Sequence, residues 1–237
     1  MKFVVLFLAV VAAYLVGLPT AAAHAVWIES AAKATKNKAH EVKIIYGDYA
    51  EGAIEPTAKW YSDLKTLEVW VVSPSQQKTK LTLTDAGTHL TASFLPEADG
   101  LYYVTTVHAT KELGGTTKYE FSSVAPVLVG SAPPALAAPA SPLAIVAAPK
   151  AYKAGAPVEA QVWKAGQPFK NGKVELMSPE GWVKTVKTDA DGKVVFTPKL
   201  KGTYVLEASD YQEQAGEWHQ KPYTHFWQGS TTRILIN

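Results

Sequence analysis

The sequence predicts an all-β protein built as two tandem antiparallel β-sandwich domains, immunoglobulin-like or prealbumin-like. Three observations carry that expectation. Short β-rich runs alternate with turn signals at the spacing of a sandwich, with no amphipathic helix between them. The block Phe94-Leu95-Pro96-Glu97-Ala98-Asp99-Gly100-Leu101-Tyr102 returns as Phe196-Thr197-Pro198-Lys199-Leu200-Lys201-Gly202-Thr203-Tyr204, matching at Phe, Pro, Gly and Tyr with an offset of 102. Upstream of each block a Ser-Pro pair, Ser73-Pro74 or Ser178-Pro179, closes an apolar run.

Residues 1–23 read as a secretory signal peptide. Lys2 precedes the apolar run Phe3 to Leu18, which is too short for the ~20 residues of a membrane span, and small residues follow it. Ala21-Ala22-Ala23 satisfies the small-x-small cleavage rule and releases His24; Ala23-His24-Ala25 satisfies it too and releases Val26. We take the first cut, which lies closer to the apolar run. His24 then carries both a terminal α-amine and an imidazole, two nitrogen donors able to close a chelate ring on a metal ion. A periplasmic location follows from the signal, with no membrane span expected in the mature chain.

The first domain is expected over residues 24–130, with strands near Glu41–Tyr46, Leu67–Val72, Lys80–Thr84, Thr91–Phe94, Tyr102–Ala109 and Val124–Val129. Residues 131–142, SAPPALAAPASP, read as a semi-rigid linker, because proline denies hydrogen bonds to helix and sheet while alanine offers little bulk to anchor. The second domain, 143–237, is expected to hold strands near Leu143–Ala147, Val158–Lys164, Lys173–Met177, Val183–Thr188, Lys193–Phe196, Thr203–Ser209 and Thr231–Ile236. Asn171-Gly172 and Asp191-Gly192 are dipeptides suited to type I′ hairpins between neighbouring strands. Tyr102 and Tyr204, each just after a glycine at a strand start, resemble tyrosine corners, with the ring in the core and the hydroxyl bonded to backbone upstream. A cleft between the domains would suit a binding site.

Composition narrows the function. The chain has no cysteine, hence neither disulfide nor thiolate metal site, and any metal needs nitrogen and oxygen ligands. A net charge of +2 recommends neither nucleic acid nor an anionic membrane as partner. No nucleophile elbow, metalloprotease histidine pair or phosphate-binding glycine loop is present, so no enzymatic activity is expected.

Histidine is the informative residue type. His40 and His89 read as exposed bystanders and His108 as a hydrogen-bonded structural histidine. His219 and His225 lie in GEWHQKPYTHFW. On one straight strand they would stand roughly 20 Å apart. A turn through Gln220-Lys221-Pro222 would fold the segment back and bring both imidazoles together, with Glu217 as a third ligand. The other reading of that stretch is an aromatic hairpin packed on a core or interface. The seven tryptophans read mainly as core, with a carbohydrate platform as the alternative.

HAVWIES after the signal, HEVKIIYGDYAEG, the FLPEADGLYYV block, and KTDADGKVVFTPKLKGTYVLEAS resemble the DUF4198 family over nearly the whole mature chain. The resemblance implies an exported two-domain β protein associated with nickel and cobalt uptake, with His24 at the position of the family's N-terminal histidine. The second domain alone is also similar to carboxypeptidase-regulatory and Cna-B type modules. Together these readings give the expected function: periplasmic binding of a divalent transition metal, nickel or cobalt first and copper or zinc next, through His24, His219, His225 and Glu217, with a membrane metal transporter as partner. The alternative is a metal-free tandem sandwich that binds protein or glycan.

Overall fold

A computed structural model of the chain describes residues 24–131 and 136–237. The expected signal segment and its cleavage site, and linker residues 132–135, lie outside the described residues. The first half contains β1 (Ala25–Ser30), β2 (Lys33–Ala34), β3 (His40–Asp48), β4 (Ala53–Ile54), β5 (Val69–Val72), β6 (Lys78–Lys80), β7 (Thr84–Asp85), β8 (Leu90–Phe94), β9 (Gly100–Ala109) and β10 (Thr117–Val129). The second contains β11 (Leu143–Ala147), β12 (Val158–Lys164), β13 (Gln167–Pro168), β14 (Lys173–Met177), β15 (Val183–Lys187), β16 (Lys193–Phe196), β17 (Gly202–Trp218) and β18 (Lys221–Ile236).

Three sheets form. One small sheet runs β1-β3-β8-β7, with β4 on β3; another runs β11-β12-β13, with β16 on β12. The third, β15-β14-β17-β18-β10-β9-β5-β6, draws strands from both halves. Each small sheet covers one end of the large one, and a separate core fills each sandwich. Strand alternation explains the first: Val26, Ile28, Val42 and Ile44, all at most 1% exposed, point inward from β1 and β3. Each contributes about 1.5–3 kcal/mol of transfer free energy. The second centres on Ile145, Val162, Leu176, Tyr204 and Leu206.

The central sheet is mixed, where all-antiparallel pairing was expected. β10 and β18 run parallel, from Thr117 opposite His225 to Ser123 opposite Thr231. Both are late strands of their repeat and run the same way, so placing them side by side makes the pairing parallel. Matching side chains extend the contact: Thr224 donates to Thr116 (2.9 Å), Gln228 to Glu120 (2.7 Å), and Thr231 to Ser123 (2.9 Å). Pro126 lies where β10 no longer pairs with β18 and has not yet met β2, so that edge requires no donor from it.

The repeated residues meet in space. Gly100 (φ +133°) and Gly202 (φ +119°) leave no room for a side chain, since a Cβ would stand 2.7 Å from Pro74 in one half and 2.9 Å from Pro179 in the other. Both tyrosine corners form: the Tyr102 hydroxyl donates to the Ala98 carbonyl (3.0 Å), and Tyr204 accepts from the Leu200 N–H (3.3 Å).

Three local expectations are corrected. Neither Asn171-Gly172 nor Asp191-Gly192 closes a hairpin, because each carries the chain from one sheet to the other. Gly172 is needed against the Phe169 ring, and the second turn is an Asx turn in which Asp189 accepts from the Asp191 and Lys193 N–H groups. The type I′ geometry falls instead on His219 (φ 49°) and Gln220 (φ 65°), between β17 and β18. Ala137 is anchored despite its small side chain, because its N–H and carbonyl both bond the Tyr103 hydroxyl (3.1 and 3.0 Å).

Candidate functional site

His24 immediately precedes β1 and is partly buried. Its Nε2 lies 3.4 Å from Glu55 Oε1, and its ring packs 5.2 Å from that of Tyr46. Glu55 is held on both sides: its N–H donates to the Tyr46 carbonyl (2.9 Å), and its carbonyl accepts from the Trp60 indole (3.0 Å). Burial, then the nearby Glu55 carboxylate and Tyr61, push the Tyr46 hydroxyl up to about 12, so it stays protonated. Behind it, rings continue through Trp60 and Phe121 to Trp227 of β18. One imidazole and one carboxylate thus stand together on an aromatic wall.

The other expected ligands lie on the β17–β18 hairpin. The chain folds back at His219-Gln220, so His219 occupies the exposed tip, edge-on to Trp218 (4.8 Å). Glu217 is exposed opposite Pro222. His225 lies further down β18, stacked on Tyr211 (5.1 Å, 6° between planes), with Thr224 bonded to its Nδ1. Among the described residues, no three His, Cys, Asp or Glu side chains form a metal-holding group. His24, His219 and His225 each keep their own neighbours.

The hairpin tip is docked on the first half. The Trp218 indole donates to the Thr110 carbonyl (2.8 Å), and Lys221 pairs with Glu112 (2.7 Å). Lys118 Nζ lies 3.8 Å from the centre of the Trp218 ring and 4.9 Å from that of Phe226. The hairpin reading of GEWHQKPYTHFW therefore describes what its rings do. Trp27, Trp60 and Trp163 are core residues, whereas Trp182 is exposed.

The remaining histidines divide. His40 is buried, not exposed: its Nε2 bonds Ser30 (2.8 Å), its ring packs on Phe94, and burial lowers its pKa. His89 is partly buried in a turn, next to Thr88. His108 is hydrogen-bonded as expected, to Asp63 Oδ1 (3.0 Å). Burial opposes ionisation of Asp63, but His108 and the Lys111 N–H together hold its carboxyl below the usual range.

The sequence pointed to a cleft between the halves but not to the residues that line it, nor to a groove within the first sandwich. A groove of about 530 Å³ in the first sandwich is lined by hydroxyl and amide side chains, among them Ser73, Ser75, Gln77, Thr79 and Ser93. A cavity of about 450 Å³ lies between Trp27, Asp48 and the Tyr49–Ile54 stretch on one side and Pro179–Gly181 on the other. Its floor is the seam where Trp27, Ile45 and Tyr49 pack on Met177 and Val205.

Solved structures similar to the chain include an alpha-2-macroglobulin from Salmonella (14% identity, TM-score 0.31, 90% of this chain and 15% of that one). A DUF4785 family protein from Legionella pneumophila gives 14%, 0.32, 85% and 55%. A calcium-stabilised adhesin with which an Antarctic bacterium binds ice gives 10%, 0.26, 90% and 49%. The chain spans little more than half the length of these structures, or less. No curated protein matches it. The family profile described as a domain of unknown function, DUF4198, matches residues 21–211 and stops short of the hairpin tip, and on that match the chain belongs to the DUF4198 family.

Proposed function

We propose that this is a periplasmic protein that binds a divalent transition metal, nickel or cobalt in the first place and copper or zinc next, in support of metal uptake, with a membrane metal transporter as partner. The observation that carries the reading is the pairing of His24 Nε2 with Glu55 Oε1 at 3.4 Å. A cut after Ala23 adds the His24 α-amine, which closes a chelate ring with Nδ1 of its own imidazole, and Glu55 beside that ring adds an oxygen donor to the neighbourhood. That set suits borderline divalent ions, and the usual affinity order puts copper above nickel and cobalt, so selectivity rests on geometry and supply. An amine–imidazole chelate leaves positions for water, for a carboxylate or for a ligand from the transporter. His219, His225 and Glu217 lie on the β17–β18 hairpin, and this reading draws on His24 and Glu55 instead.

Native mass spectrometry of the mature protein taken from the periplasm tests this directly. The expected result is a mass beginning at His24 with a nickel, cobalt, copper or zinc adduct that is lost in His24→Ala and weakened in Glu55→Gln. A mass beginning at Val26, or an adduct that survives His24→Ala, would overturn it.

A second reading, a metal-free module for glycan or protein, is favoured by the hydroxyl-lined groove beside Ser73 and Ser93. Glycan binding lost on altering Gln77 and Thr79, in a protein that takes up no metal, is the result that selects it.

A further inference from the structure

The cavity at the seam between the halves has a chemistry of its own. Four carboxylates line it, Glu29, Asp48, Glu51 and Glu180, and no lysine or arginine does. Its apolar wall is aromatic: Trp27 meets Tyr49 edge to face at 5.7 Å. Its size lies within the range of small-molecule sites.

A second observation is independent of the carboxylates. Among the described residues, four buried side-chain polar atoms lack a hydrogen-bond partner, and three belong to this seam: Trp27 Nε1, Glu207 Oε2 and Arg233 Nε. Trp27, 2% exposed, is itself part of the cavity wall. Glu207, 3% exposed, lies on the same face of β17 as Val205, which packs on Trp27, and feels the charge of Asp48. Arg233 is paired opposite Val205 and reaches Glu29 at 3.8 Å. Polar groups this deeply buried ordinarily find partners. Of the three residues, Trp27 stands on the wall of this acidic cavity, and Glu207 and Arg233 neighbour its seam through Val205 and Glu29.

We propose that this cavity binds a small organic diammonium compound, two primary ammonium groups separated by a short apolar chain. The carboxylates receive the ammonium groups, and the partly exposed Tyr49 ring, packed on Trp27, favours a cation with a hydrocarbon body. A bare metal ion fits less well, because no three of the carboxylates converge on one point. The site does not depend on His24.

Calorimetry with 1,4-diaminobutane as the probe tests the proposal, with 1-aminobutane and calcium for comparison. The diamine is expected to bind with sub-millimolar affinity, and 1-aminobutane at least about tenfold more weakly, a difference of about 1.4 kcal/mol. A Glu51→Gln/Glu180→Gln variant, altered at two exposed wall positions that the fold does not require, should lose at least about tenfold in diamine affinity. A Glu41→Gln/Glu213→Gln variant, equal in charge change but distant from the cavity, should bind as the parent does. No heat with millimolar diamine overturns the proposal. So does diamine binding that the wall variant leaves intact, or calcium binding in preference to diamine that the wall variant abolishes.

Discussion

Glu207→Gln should make the protein more stable at neutral and alkaline pH and leave it unchanged in acid. Glu207 is buried on the face of β17 that carries Val205, opposite the core face of Tyr204 and Leu206. Burial first, then Glu175 across the sheet, raise its pKa from 4.5 to about 8; Lys173 opposes and Asp48 adds to the rise. Arg233 and Glu29 also stand at the seam, with Glu51 and Glu180 on the cavity wall. A raised folded-state pKa means that the native state keeps a proton the unfolded chain has already lost. Stability is therefore fully present below pH 4.5 and falls as pH rises towards 8. The 3.5-unit gap corresponds to about 5 kcal/mol once Glu207 is ionised in both states, of which about 3–4 kcal/mol falls between pH 5 and 8. The assay is urea unfolding of parent and variant at both pH values. Groups common to both chains, such as Asp63 with its lowered pKa and His40, cancel in the comparison. Equal losses of stability in parent and variant from pH 5 to 8 would refute the placement of an uncompensated carboxyl in the seam.

Two further outcomes follow from contacts already described. Tyr102→Phe should cost more than Tyr204→Phe, because Tyr102 both donates to Ala98 and accepts from its N–H whereas Tyr204 only accepts from Leu200; losses of about 1–3 and about 1 kcal/mol are expected, and the reverse order of urea midpoints contradicts the corner geometry. Trp218→Ala removes the bond to Thr110 and the ring beneath Lys118. It should release about 2 kcal/mol of docking. Hydrogen exchange should then rise at residues 216–223 but not at 203–208, and unchanged exchange at the tip refutes the docking.

Much of the fold was legible in sequence because local chemistry and global architecture agree. Leu143–Ala147, Val158–Lys164, Lys173–Met177 and Lys193–Phe196 are strands at the expected bounds. The repeat gave both tyrosine corners. What escaped was long-range. β10, β17 and β18 extend far beyond their apolar stretches, because Thr117–Ser123 and Gly216–Gln228 are held by partners rather than by their own propensity. β1 was missed entirely, since its first residues border the signal segment and its pattern AVWIES is apolar on both faces: one packs in the first core, the other on the second half. His24 stood out in the sequence. Its neighbour Glu55, 31 residues away in a loop, carried no signal, and a His219–His225 cluster presumed a turn later than the one the backbone takes at His219-Gln220.

The parallel pairing of β10 with β18 joins residues 108 positions apart, so it can close only after most of the chain has found its place. Until then β10 presents a long edge, Thr117 to Ser123, with unpaired N–H and C=O groups and Tyr119 and Phe121 alongside, the kind of surface that recruits strands from other molecules. The second half supplies the cover for the first. Cutting at the proline-rich connection would thus yield not two separate domains but two complementary open edges, which in solution should seek each other or a copy of themselves.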